Sequence, residues 1–144
     1  MPRSIDILLV EDNIKDVVYM KERLGMDKLD LRFFTVRSGE EAIDFLDQKP
    51  NSVYELMPRP DLVLLDWNLP SIRGSDVIQR IRNDPKLDSI IVVMVTGYPS
   101  EEAQCEALKR GAACCIDKPL TLVKFLTIVE RVKPCWPTIV RMPD

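Results

Sequence analysis

Histidine is absent from all 144 residues, and that gap excludes three kinds of chemistry. The chain holds no Ser-His nucleophile pair, no imidazole metal ligand and no phosphohistidine relay. Any phosphoryl donor must be another molecule. A basic excess is missing too. Lys and Arg number 20 against 23 Asp and Glu, a net charge of −3. A nucleic-acid surface would show clustered basic residues instead. No apolar run approaches the ~20 residues of a membrane span. Met1-Pro2-Arg3 leads straight into an apolar segment without a signal peptide. The expectation is a cytoplasmic protein with no membrane and no nucleic-acid partner. The four cysteines, Cys105, Cys114, Cys115 and Cys135, form no CxxC pair. They read as reduced, buried, small hydrophobes rather than a metal or redox site. No glycine lies between Val10 and Tyr19, so the first loop offers no phosphate cradle of the flavin-binding kind.

What is present is a repeating alternation. Short apolar runs alternate with amphipathic segments, the pattern of a parallel sheet covered on both faces. The length suits one domain able to bury a core without staples. Strands are expected at about 5–10, 31–36, 62–66, 90–95 and 113–117. The first helix should turn Ile14, Val17, Val18 and Leu24 inward and Lys15, Asp16, Lys21 and Glu22 outward, with Gly25 as its stop. Ser38-Gly39-Glu40-Glu41 has capping-box spacing ahead of Ala42, Phe45 and Leu46. Residues 49–60 carry three prolines and read as a long surface loop. Gly74 and Ser75 open a third helix with Val77, Ile78 and Ile81 inward, ended by Asn83-Asp84-Pro85. Ser100-Glu101-Glu102 caps a fourth, closed by Lys109-Arg110-Gly111. A fifth spans about 120–133, with Leu122, Phe125, Leu126, Val129 and Val132 apolar. The tail from Pro134 carries three prolines and cannot be a long helix.

Chemistry-bearing residues sit at the strand ends. Asp66 ends Leu62-Val63-Leu64-Leu65. Glu11 and Asp12 end Ile7-Leu8-Leu9-Val10. Thr96 ends the run 90–95, and Lys118, followed by Pro119, ends a fourth strand. The carboxyl edge of an open α/β sheet is where such folds bind ligands. Each residue alone has an ordinary explanation in turn chemistry or helix-end charge. Together they make a site for a divalent cation and a phosphoryl group. Crowded carboxylates repel, and a bound cation relieves that. Mg²⁺ favours hard oxygen ligands, few carboxylates and several waters. A carboxylate can itself attack phosphorus to form an acyl phosphate.

These pieces resemble the receiver domain of response regulators over about residues 5–133. The matching stretches are Ile7 to Asn13, Asp61 to Pro70, Gly74, Ile81-Arg82, Val95-Thr96-Gly97, Gly111-Ala112 and Lys118-Pro119. The resemblance implies a doubly wound five-stranded parallel sheet in the flavodoxin-like order 2-1-3-4-5, with helices on both faces. It implies Asp66 as phosphoacceptor, Asp12 as direct Mg²⁺ ligand and Glu11 as the acid that holds the metal partly through water. Asn68 would offer its backbone carbonyl to the metal, while its side chain tunes dephosphorylation. Thr96 would be the switch hydroxyl, Lys118 the phosphate-binding lysine, and Lys118-Pro119 a cis bond. Finer features resemble the small stand-alone regulators of phytochrome-type histidine kinases: the Pro-rich loop, Asn83-Asp84-Pro85 and the tail Trp136…Ile139-Val140…Pro143. One departure matters. The family usually has Tyr or Phe three residues before the lysine, and this chain has Cys115.

The expected function is a single-domain response regulator, phosphorylated on Asp66 by a partner histidine kinase with Mg²⁺ and signalling to a downstream protein by contact. It assists only its own phosphorylation and dephosphorylation and is not a turnover enzyme. Residues 1–133 form the receiver and 134–144 a tail, with no output domain. A pseudo-receiver working without phosphorylation is the alternative. An aspartyl-phosphate phosphatase would show a second Asp two residues on, where Asn68 stands. The apolar tail residues Trp136, Ile139, Val140 and Met142 suit a homodimer interface, or a fold-back onto the domain.

Overall fold

The computed structural model describes residues 5–24 and 31–132. Gly25 and the tail from Pro134, with Cys135 and Trp136, lie outside the described residues. Five strands and five helices alternate: β1 (Ile5–Val10), α1 (Ile14–Leu24), β2 (Leu31–Val36), α2 (Gly39–Asp47), β3 (Leu62–Asp66), α3 (Gly74–Arg82), β4 (Ile91–Thr96), α4 (Glu101–Arg110), β5 (Cys114–Asp117) and α5 (Leu122–Val132). All strand pairs are parallel, in the order β2-β1-β3-β4-β5. The expected fold class is therefore observed.

The period-2 pleat sorts the apolar runs onto two faces. Ile5, Ile7 and Leu9 pack with Leu62, Leu64, Val93 and Val95 against Met20 of α1 and Phe125, Ile128 and Val129 of α5. Leu8 and Val10 pack with Val63, Leu65, Val92 and Met94 against α2, α3 and α4, through Phe45, Ile78, Ile81 and Ala107. The three central strands are buried along their whole length, as continuous apolar runs in a doubly covered parallel sheet should be. Among the described residues no helix is long and apolar enough to cross a membrane.

Local chemistry sets the helix ends. Ser38 and Ser100 cap α2 and α4 through their hydroxyls, which accept from the Glu41 and Ala103 amides. The Glu41 carboxylate reaches the Arg37 amide rather than that of Ser38, so the expected reciprocal box is open by one residue. Gly111 closes α4 in the left-handed region at φ 112°, where a Cβ would also meet the Arg82 guanidinium. The loop 49–60 is a chain of tight turns, anchored by Tyr54 against Phe45 and by the Gln48 amide donating to Met57 O.

Two sequence expectations fail. Ile14 and Val18 are exposed, while Val17 is partly buried and Met20 is buried. The unanticipated cap is Asn13, whose Oδ1 accepts from the Lys15 and Asp16 amides. The inward stripe of α1 runs through Val17 and Met20. The cysteines also divide. Cys114 is buried, Cys115 intermediate and Cys105 exposed on α4, so burial does not describe all of them.

Candidate functional site

Parallel pairing carries the site residues one step past the sheet. The Glu11 amide donates to Val36 O at 3.0 Å, Trp67 to Val95 O at 3.0 Å, and Lys118 to Thr96 O at 2.8 Å. Each functional backbone is thus pinned to a neighbouring strand, and the side chains meet at one edge. Glu11, Asp12 and Asp66 each bring a carboxylate oxygen to within 4.8 Å of the others. Asp66 and Glu11 are buried, while Asp12 is exposed. Asp66 Oδ1 accepts from the Asn68 amide at 3.1 Å. The Asn68 side-chain amide donates to Thr96 Oγ1 at 2.9 Å, and the Tyr98 amide donates to the same oxygen at 3.0 Å. The Lys118-Pro119 bond is cis.

The Lys118 ammonium is shared. It stands against Glu11 Oε1, lies 3.0 Å from Asp16 Oδ2 and 3.6 Å from Asp66 Oδ2. Burial alone would pull its pKa down, but Glu11, Asp16 and Asp66 together raise it above the ordinary lysine value. Burial, followed by the close contact with Asp66, pushes the Glu11 carboxyl up to about 7, with Lys118 opposing. The two directions agree physically. One ammonium cannot neutralise three carboxylates, so the cation is over-held and an acid is under-neutralised. Glu11 Oε1 is buried, and the cation set against it is the shared Lys118 ammonium. An all-oxygen donor set whose negative charge exceeds its one shared ammonium fits a hard dication.

Residues 7–130 match the response regulator receiver domain family. The chain belongs to that family. Response regulator Rcp1 of Synechocystis is 33% identical over 137 residues, covering 95% of this chain and 92% of that protein. The phosphorylated cyanobacterial phytochrome response regulator RcpA superposes with a TM-score of 0.78 at 32% identity, covering 99% of this chain and all of that one. The Mn²⁺-bound form of Rcp1 superposes with a TM-score of 0.75 at 32% identity, covering 97% and 99%. Receiver domains bind a divalent metal, and the acidic cluster here is of that kind.

The receiver fold brings together every site residue expected from the sequence. It also adds two that sequence reasoning missed or misplaced. Asp16, expected on the outer face of α1, reaches Lys118, which is 102 positions away. Asn13 both caps α1 and donates its amide to Glu11 Oε2 at 3.2 Å. The sequence did hold a signal for Asp16, since it lies four residues after Asp12 in the first turn of the helix that leaves the acid pair. At the usual aromatic position, Cys115 is half-buried, and burial raises its thiol pKa. Its Sγ donates to Gln104 O at 3.9 Å, so it is tied to α4 as a neutral packing group.

Proposed function

We propose that this receiver domain accepts a phosphoryl group on Asp66 from a partner histidine kinase and signals by protein–protein contact. Mg²⁺ would be held by Glu11, Asp12, Asp66 and the Asn68 backbone carbonyl. The observation that carries the reading is the convergence of three carboxylates beside the Lys118 ammonium and the Thr96 hydroxyl. An Asp66 oxygen attacks phosphorus while the bond from phosphorus to the donor breaks, leaving an acyl phosphate on Asp66. Such transfer needs positioning and charge neutralisation more than covalent help, and a bound dication supplies part of that neutralisation. Lys118 supplies another part by moving onto a phosphoryl oxygen. Thr96 Oγ1 already accepts two hydrogen bonds, so its own proton is left to donate to a third.

Support comes from relatives that are a phosphorylated phytochrome response regulator and a Mn²⁺-bound one. By that likeness the kinase is of the phytochrome type. The receiver comprises residues 1–133 and the tail residues 134–144, and the protein works in the cytoplasm. It acts on no substrate beyond its own acyl phosphate.

Acetyl phosphate with Mg²⁺ should add one phosphate to the wild type and none to Asp66→Asn, read by intact mass. Omitting Mg²⁺ should abolish labelling. Equal labelling of both proteins would remove Asp66 as acceptor, and no labelling of either, by acetyl phosphate or kinase, would favour the pseudo-receiver.

A further inference from the structure

The nearest acids to the Lys118 ammonium are not the phosphoacceptor. Asp16 Oδ2 accepts a hydrogen bond from it at 3.0 Å, whereas Asp66 Oδ2 lies at 3.6 Å, outside good hydrogen-bond distance. Asp16 enters from a different element, the first turn of α1, with its carboxylate 37% exposed, and is not one of the clustered acids that fit a metal. Beside the pair opens a cleft of about 240 Å³ lined by Asp16, Tyr19, Met20, Lys118 and Leu120. The ammonium therefore has room to move without repacking the core.

We propose that Asp16 is a positioning residue that draws Lys118 toward α1 and off Asp66, leaving the ammonium between Asp16 and Glu11. In the resting protein this hold keeps Asp66 open to a dication. Without Asp16 the ammonium settles between Glu11 and Asp66, and a dication must displace it from both. Once a phosphoryl group occupies Asp66, the same hold works the other way. Asp16 competes with the phosphoryl oxygens for Lys118, which shortens the engaged state. One carboxylate thus strengthens metal binding and weakens phosphoryl capture, both through Lys118. Only the second effect rests on the phosphoacceptor reading given above.

Proteins carrying all 144 residues test this, first the parent, Asp16→Asn, Lys118→Met and the double variant, each with Trp136→Phe so that fluorescence reports Trp67, the neighbour of Asp66. The first probe is Mg²⁺ alone. Asp16→Asn should weaken Mg²⁺ binding roughly two- to fivefold, the range of a partly exposed ion pair. In the Lys118→Met background the same change should have little effect, because the coupled term is gone. The second probe is beryllofluoride at saturating Mg²⁺. Asp16→Asn should tighten it by a similar factor with Lys118 present and leave it unchanged in the Lys118→Met background. Asp16→Glu should restore wild-type behaviour in both titrations, and Lys118→Gln serves as a second background lacking the cation. Equal shifts with and without Lys118 would mean that Asp16 acts only as bulk charge and would overturn the proposal. No shift in either background would do the same. A wild type that binds Mg²⁺ but no beryllofluoride would sink the phosphoacceptor reading instead, and the Mg²⁺ cycle alone would then judge Asp16.

Discussion

Asp6 lies near the start of β1 and Glu11 just past its end, and both are buried, at 3% and 1% exposure. Their partners make them opposite kinds of residue. Asp6 faces Arg32 across the β1–β2 pairing, and the guanidinium closes on both its oxygens, at 2.6 Å and 3.0 Å. A planar fork on a carboxylate is a saturated arrangement. That end of the strand is tied further by the Asp6 amide donating to Asp61 Oδ2 at 2.9 Å. Glu11 has no such dedicated partner. It shares one ammonium with Asp16 and Asp66, and its other oxygen accepts from the Asn13 amide. A buried acid with its own cation is structural. A buried acid that must share one is left with charge that a further cation can meet.

The largest expected effect comes from supplying that cation. Mg²⁺ at a hundredfold its Kd should raise the unfolding free energy by ~2.7 kcal/mol, read by urea titration. Glu11→Gln should lose most of this gain, and Arg32→Met should keep it. A full Mg²⁺ response in Glu11→Gln would break the comparison.

Next in size is the closed end. Arg32→Met leaves Asp6 buried without its fork and should cost about 2 kcal/mol, less than the ~3–5 kcal/mol of a fully buried pair because Arg32 is half exposed. The loss should be equal with and without Mg²⁺. A loss confined to metal-free protein would mean that the two ends are coupled.

The same measurement on Glu11 should change sign. Without metal at pH 8, Glu11→Gln should stabilise the fold by about 1 kcal/mol, since it removes a charge that burial and Asp66 disfavour. Destabilisation of that size would show that Lys118 satisfies Glu11 as fully as Arg32 satisfies Asp6.

The last effect is a slope. The folded-state pKa of Glu11, about 7, lies above its ordinary 4.5, so the folded state holds this proton more tightly than the unfolded chain does. The resulting stability is fully present below pH 4.5 and is lost as pH rises through about 7. Thermal midpoints of metal-free wild type should therefore fall over this window relative to Glu11→Gln. Saturating Mg²⁺ should flatten the difference. Lys118 titrates above the window and adds no slope there. A difference that grows as pH falls would reverse the assignment.

Much of this was legible in the chain. An unbroken apolar run such as Leu62 to Leu65 marks a strand buried on both faces, and the polar residue that ends it marks the sheet edge. Asp66, Glu11, Asp12, Thr96 and Lys118 were readable because a strand end is a local signal. The caps at Ser38, Ser100 and Gly111 were readable for the same reason. The inward face of α1 was not. Its apolar residues lie on more than one side, and only packing against the sheet and α5 leaves Ile14 and Val18 exposed and brings Met20 inward. Gly74 read as a helix opener, but its stronger reason is tertiary: a Cβ there would press into the Trp67 ring at 2.6 Å.

The sequence by itself determined which residues form strands, where the strands end and therefore which chemical groups gather at one edge, because period and termination are encoded within a few neighbouring positions. Only the tertiary structure decided how charge is divided among those groups. Arg32 belongs to Asp6 because strand register sets them opposite each other. Lys118 is shared among Glu11, Asp16 and Asp66 because α1 and the β5–α5 turn, a hundred residues apart in the chain, pack side by side. Electrostatic partnership depends on distance in space, and no local pattern carries that.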